Sequence, residues 1–252
     1  MSLVMAHRGA RDIWAENSLL GFRETVKHGF DGIEFDLHLT DAGELVVIHD
    51  PTLERTTTGT GPVRALTPQS RKALRLKGPD GALIDEGVPS LEEALEILAP
   101  SGADLFVELK PDQTGTTDPR MVSMAADMLR RRGLESRAVL HAFDIAVVRD
   151  IRDHAPGFRR LISVDRDWAG RQGGLEAFLH EVRDLVDVIG IHHELFAAEF
   201  DLVEAMGLRS RCSAWTINTP ELMREWIRRA PGYLVSDNPV ALRRLMAESV
   251  AA

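Results

Sequence analysis

The chain of 252 residues contains one cysteine, Cys212, so an internal disulfide is excluded and a reducing compartment fits. It has no stretch of eighteen apolar residues, and its opening MSLVMAHRG has neither the basic start nor the apolar run of an export signal. A soluble, cytoplasmic protein with no stable membrane insertion is expected. Positive charge is in deficit as well: 30 Lys and Arg against 39 Asp and Glu give a net charge of −9, which argues against broad binding of nucleic acid or anionic membranes. Any phosphate must therefore be captured by local cations. What is present in quantity is ordinary for a globular protein, with 44% hydrophobic and 27% charged residues, and the length suits a single α/β barrel.

The stretch from Gly32 to Asp50, GIEFDLHLTDAGELVVIHD, departs from what core packing asks for. Ile33, Phe35 and Leu37 alternate with Glu34, Asp36 and His38, and since successive side chains on a strand point to opposite faces, two carboxylates and an imidazole share one side. That side must face water, a metal or a cavity. Asp41, Ala42 and Gly43 make a tight turn, which forces an antiparallel return. Counted back from the turn, Thr40 faces Glu44 and His49 returns to the level of the carboxylates, opposite Phe35 or Asp36.

The rest of the chain alternates between strand and helix signals. Leu3 to Ala6 is a short strand running into His7, Arg8 and Gly9; Asn17 or Ser18 caps a helix to His28. Residues 51–87, rich in Thr, Gly and Pro, read as an insertion at the mouth of the fold and as a flexible lid. Its TTTGTG run is similar to a phosphate-cradling loop but lacks the flanking strand and helix. Ser90 to Glu93 forms a capping box, and Asp104 to Leu109 is a strand on which Glu108 and Lys110 again share a side. Strands over Arg137 to Phe143, Arg159 to Val164, Asp187 to His192, Ser210 to Thr216 and Tyr233 to Ser236 follow, each succeeded by a helix. Without the hairpin's return arm this predicts eight βα units, a (β/α)₈ TIM barrel in one domain over residues 1–252. A doubly wound open sheet would need a Gly-rich turn after the first strand, and HRGARD is not one.

On a barrel the C-terminal strand ends surround one mouth, so His7, Glu34, Asp36, Glu108 and Lys110 converge. Three carboxylates in one cavity repel unless a divalent metal neutralises them, and oxygen ligands suit magnesium or calcium. His7 and His49 are then free to transfer protons, while the guanidinium of Arg8 and the ammonium of Lys110 suit a phosphate oxyanion. Together these groups describe phosphodiester cleavage.

The same residues resemble the glycerophosphodiester phosphodiesterase family over nearly the whole chain. Its motifs stand here as His7-Arg8-Gly9, Glu16-Asn17-Ser18, Glu34-Phe35-Asp36 with LTDAG, His49-Asp50, Glu108-Leu109-Lys110 and Ala214-Trp215-Thr216. Ala15 and Ser18 stand where the family usually has proline and threonine, which bears on loop rigidity. The resemblance implies a barrel with a small insertion after its second strand. It implies metal ligation by Glu34, Asp36 and Glu108, proton exchange by His7 and His49, and phosphate binding by Arg8 and Lys110. The reaction implied is hydrolysis of glycerophosphodiesters to sn-glycerol 3-phosphate and an alcohol, a step of lipid and glycerol metabolism. Two alternatives remain at this stage: a related lyase or phospholipase that stops at a cyclic phosphate, and a diester-binding protein without catalysis.

Phe143, Phe196 and Trp215 fall near strand ends, where they either wall the alcohol portion of a substrate or simply pack. His141 either lines the pocket or is a satisfied interior histidine. His38 is expected at the rim, bonded to solvent. Of His192 and His193 at most one can face the mouth. The partner expected is a small-molecule glycerophosphodiester; the head group, the metal and any homo-oligomer are left open.

Overall fold

A computed structural model describes residues 2–251. Its strands are β1 (Leu3–Ala6), β2 (Gly32–Leu39), β3 (Leu45–Val47), β4 (Asp104–Leu109), β5 (Ala138–Ala142), β6 (Arg159–Val164), β7 (Val188–His192), β8 (Cys212–Trp215) and β9 (Tyr233–Ser236). All but β3 are parallel, and the sheet order β1-β9-β8-β7-β6-β5-β4-β2 closes on itself through a further pairing of β1 with β2. This is a closed eight-stranded parallel barrel, and β3 hangs antiparallel on the outer flank of β2. The hairpin register is the one its turn dictates: Leu37 faces Val47, Leu39 faces Leu45, and Thr40 N–H donates to Glu44 C=O at 3.0 Å. The same register carried back places His49 level with Phe35.

Alternation along the strands sorts the side chains into two environments. Ile33, Phe35 and Leu37 of β2, with Leu105, Val107 and Leu109 of β4, point outward into a fully buried layer against the helices. These include α1 (Leu19–His28); α2 (Pro68–Ala73) lies apart in the segment after β3, and α3 (Leu91–Leu98) packs on the layer again. Next come α4 (Arg120–Arg131), α5 (Ile145–His154), α6 (Arg166–Arg171) and α7 (Leu175–Val182). The last four are α8 (His193–Ala198), α9 (Phe200–Ala205), α10 (Pro220–Arg229) and α11 (Pro239–Ala251). The inward faces fill the lumen in two storeys. Met5, Phe106, Val139, Leu161, Val188, Tyr233 and Val235 form an apolar plug, and the acids and histidines of β2 and β4 lie above it.

Helix starts follow the capping residues of the sequence. Ser18 Oγ accepts from Gly21 N–H to start α1, and Ser90 and Glu93 make a reciprocal capping box for α3. A short helix that periodicity does not predict, α6, lies between β6 and α7, started by Asp165 accepting from Trp168 N–H. Between β7 and β8 the expected helix is preceded by a second short one, so that α8 and α9 both follow β7.

The segment between β3 and α3 carries α2 and a small core of its own, in which Leu53, Val63, Leu66, Leu76 and Val88 pack with Ala15, Val46 and Ile48. It is tied to the barrel rather than left as a loose lid. Arg71, 3% exposed, bridges Glu44 of the hairpin and Glu93 of α3, with N···O distances of 2.8 and 2.7 Å. In the TTTGTG run Thr56 and Thr57 are buried, Thr57 Oγ donates to Leu53 C=O, and the N–H groups of Thr57, Thr58, Gly59 and Gly61 donate to Leu53, Arg75, Thr57 and Glu54. A loop so folded does not present its amides to a phosphate.

Candidate active site

At the end of β1 the chain enters one tight 3-10 turn, His7–Gly9, and Arg8 (φ 50°), Gly9 (φ 72°) and the residue that follows, Ala10 (φ 66°), are left-handed. Two non-glycine residues in that conformation store backbone strain of about 1–3 kcal/mol each. At Gly9 a Cβ would meet the ring of Phe22 at 3.2 Å, so the turn sits hard on α1. The result of this geometry is placement. Arg8 N–H donates to Glu34 Oε2 at 3.0 Å, His7 Nε2 stands 3.8 Å from the same oxygen, and the Arg8 guanidinium lies 3.4 Å from Asp36.

β2 and β4 are in parallel register with Asp36 beside Glu108, and β5 places His141 beside Glu108 in turn. Glu34, Asp36, Glu108 and His141 are all buried. Buried acids so close cannot all ionise freely, and their protonation differs accordingly. Burial, Asp36 and Glu108 push the Glu34 carboxyl well above the usual carboxylate range. Burial also opposes ionisation of Asp36, but Arg8, His49, Lys110 and a hydrogen bond from Asn17 Nδ2 at 2.9 Å hold it far below that range. Glu108 is likewise held low against its burial by Lys110, which donates to it at 2.8 Å, and by His141.

Each proposed proton carrier is backed by a carboxylate. His7 Nδ1 lies 2.5 Å from Asp237 Oδ1, and His49 Nδ1 lies 2.7 Å from Asp50 Oδ1. Asp237 follows β9 on the far side of the barrel seam; burial would raise its pKa, but His7 and Arg11 hold it down at about 2, and Asn218 donates to it at 2.7 Å. Burial and the neighbouring Arg8 lower the pKa of His7, overriding Asp237. His49 Nε2 accepts from Lys110 Nζ at 3.1 Å, so the ammonium links this dyad to Glu108. Arg55 reaches from the inserted segment to grip Asp50 with one edge and Glu16 with the other, and Glu16 accepts from Arg8 at 3.3 Å.

His7, Arg8, Glu34, His49, Glu108, Lys110, Phe143 and Trp215 all line one cavity of about 150 Å³ at the barrel mouth, together with His141. Asp36 lies beneath it, facing Arg8, Lys110 and Asn17. Phe143 and Trp215 meet edge to face at 5.6 Å and form one wall. Phe196 belongs instead to the outer core, its ring tilted against that of Trp226 of α10. His38 is not at the rim: it is 4% exposed, and its Nε2 donates to His49 C=O at 3.0 Å, because the chain after β3 folds over it. His192 packs edge to face on Trp215, and His154 and His180 are exposed on helices.

The donor set fits a divalent cation. Glu34 Oε1 and Asp36 Oδ1 are buried without a hydrogen-bond partner among the described residues, a costly state for oxygens that a cation would relieve. One donor atom each from Glu34, Glu108 and His141 lie within 4.8 Å of one another. Asp36 is outside that group as its carboxylate is turned here.

Comparison with known proteins shows the family and the fold. The sequence model of the glycerophosphoryl diester phosphodiesterase family matches residues 7–241. The chain belongs to that family. A glycerophosphodiester phosphodiesterase of Caldanaerobacter subterraneus subsp. tengcongensis is 28% identical over 247 residues, covering 97% of this chain and 98% of the relative. The crystal structure of a glycerophosphodiester phosphodiesterase from Agrobacterium tumefaciens superposes with a TM-score of 0.75 at 26% identity, covering 96% of this chain and 99% of that one. An Oleispira antarctica phosphodiesterase, solved in complex with the product sn-glycerol-3-phosphate, shares the fold with a TM-score of 0.80 at 22% identity, over 100% and 98% of the two chains. Among the described residues of this family member, no helix is long and apolar enough to cross a membrane.

Proposed function

We propose that this chain is a metal-dependent phosphodiesterase that hydrolyses glycerophosphodiesters to sn-glycerol 3-phosphate and an alcohol. The observation that carries the reading is the pairing of two His–Asp dyads across one small cavity that also holds two buried carboxylates, a guanidinium and an ammonium. Glu34, Asp36 and Glu108 would hold the cation, magnesium or calcium, which when bound offers a phosphoryl oxygen and a nearby hydroxyl a fixed positive charge. Arg8 and Lys110 orient the phosphate, and Phe143 with Trp215 excludes water from one side of the glycerol moiety. His7, kept neutral by its burial and by Arg8, accepts the nucleophile's proton; Asp237 fixes the tautomer that leaves Nε2 free. With Lys110 turned from His49 to the phosphate, His49 carries a proton on Nε2 and delivers it to the departing alcohol oxygen as that oxygen's bond to phosphorus breaks. The dyads then exchange roles. The cytoplasmic setting rests on the lone buried Cys212.

In a glycerophosphodiester the substrate's own 2-hydroxyl is already poised beside phosphorus, and an intramolecular attack avoids the entropy of capturing water. That route forms a cyclic phosphate first, which water opens in a second step. The test is an assay of purified protein on glycerophosphocholine, glycerophosphoethanolamine and glycerophosphoinositol, with chelator and with each added metal. Metal-dependent release of sn-glycerol 3-phosphate is expected, and no release from any of them overturns the reading. A 2-deoxy analogue should bind but turn over poorly; equal turnover would mean that water attacks directly.

A further inference from the structure

His141 is the group in this cavity to which the reading above gives no task. It stands on β5 in register with Glu108 and is 4% exposed, and neither ring nitrogen has a hydrogen-bond partner among the described residues. An interior histidine kept for packing bonds at least one nitrogen, because burying both unmade is costly. Its Nε2 points instead at another orphan, lying 3.9 Å from Glu34 Oε1. One donor atom from each of Glu34, Glu108 and His141 falls within 4.8 Å of the others, close to the spacing of donors around one ion bound at about 2.0–2.2 Å.

We propose that His141 is a nitrogen ligand of the cation at this site, giving the chain a mixed carboxylate–imidazole set that favours a first-row ion such as manganese over calcium or magnesium. The proposal rests on the reading that a cation sits between Glu34 and Glu108. Three acidic side chains alone would suit hard ions and leave the choice to cavity size. An imidazole changes the ranking, since nitrogen donors strengthen binding of first-row ions in the order manganese, iron, cobalt, nickel and do little for calcium. The competing role for His141, a hydrogen bond to the substrate, requires no ion and predicts no such ranking.

The experiment uses the full chain, stripped with chelator and reloaded with Mn²⁺, and reads the ion rather than turnover. Pulsed electron paramagnetic resonance of the bound Mn²⁺ should show a nitrogen coupling that changes frequency when the histidines are ¹⁵N-labelled. The coupling should vanish in His141→Gln and persist in His7→Gln, which controls for the other imidazole near Glu34. Calorimetry should show Mn²⁺ binding more tightly than Mg²⁺ or Ca²⁺ to the unaltered chain. In His141→Gln the Mn²⁺ affinity should fall by roughly tenfold or more while that for Mg²⁺ changes much less. Bound Mn²⁺ without nitrogen coupling, or with coupling that survives in His141→Gln, overturns the proposal and leaves the cation site standing. Failure of every ion to bind removes the cation site itself, and this proposal with it. Where His141→Gln does not fold, the ¹⁵N-labelled His7→Gln chain decides the matter: coupling that survives there is the expected result, and coupling lost there overturns the proposal.

Discussion

The barrel lumen holds two regions built on the same strands and opposed in character. On β4, Phe106 and Glu108 both point inward, yet the first belongs to an apolar plug with Met5, Leu161 and Tyr233 and the second to a cluster of acids and cations. On β2 the change comes as sharply. Gly32 leaves room for the Phe106 ring, which a Cβ there would meet at 3.0 Å, and Glu34 begins the charged storey. The lower region stabilises the fold by burial of apolar surface. The upper one opposes it, since its buried charges are tolerable only because Arg8, Lys110 and two His–Asp pairs offset one another. Stability and chemistry are thus divided by height along single strands.

The division predicts opposite outcomes for substitutions one storey apart. Phe106→Ala opens a void in the plug and should lower unfolding free energy by about 3–5 kcal/mol in urea titrations. If it left stability untouched, the plug would not be what holds the barrel. In the upper storey His7→Ala or His49→Ala should lower kcat/KM by about 10²-fold or more, and for the partly exposed His49 stability should change by no more than about 1 kcal/mol. Unfolding of those variants, with Phe106→Ala intact, would reverse the comparison.

A smaller effect tests whether the upper region is held from outside. Arg55 touches no group proposed to meet substrate, yet it grips Asp50 and Glu16, the carboxylates behind His49 and Arg8. Arg55→Ala should lower kcat/KM roughly tenfold by loosening both, and Arg55→Lys should restore little because an ammonium cannot make the two-edged contact. Full recovery in the lysine variant would show that charge alone suffices.

Much of this was legible where local rules decide the outcome. The period of two in GIEFDLHL and DLFVELK set which residues face the lumen, and the turn at Asp41 to Gly43 set the hairpin register. Groups whose role depends on distant chain closure were not legible. Asp237 is 230 residues from His7, and only the closing pair of β1 and β9 brings them together. A signal existed: SDN ends its strand at the barrel mouth as HRG does, and the same reasoning could have been applied to both. His38 was expected at the rim because alternation gives a face but not what later covers it. α6 escaped because six residues between a strand and a helix hold too short a stripe to show a period.

The finest effect concerns Asp237, and its sign follows from the forces on His7. Burial and Arg8 depress the His7 pKa below its usual 6.5, and Asp237 pulls in the other direction through its hydrogen bond and charge. A base with a depressed pKa stays neutral, and so able to accept a proton, as pH falls past 6.5. The acid limb of kcat/KM should therefore lie below that value in the unaltered chain. Asp237→Asn removes the charge that raises the pKa and keeps a side chain of the same shape. The His7 pKa should then fall further and the acid limb move to lower pH, while the plateau rate drops because the imidazole is less well oriented. The same direction holds for stability: neutral buried His7 contributes fully above 6.5 and that contribution is lost as pH falls through the folded value. Measured at one fixed metal loading, a limb that stays put or moves to higher pH would mean that His7 is not the base.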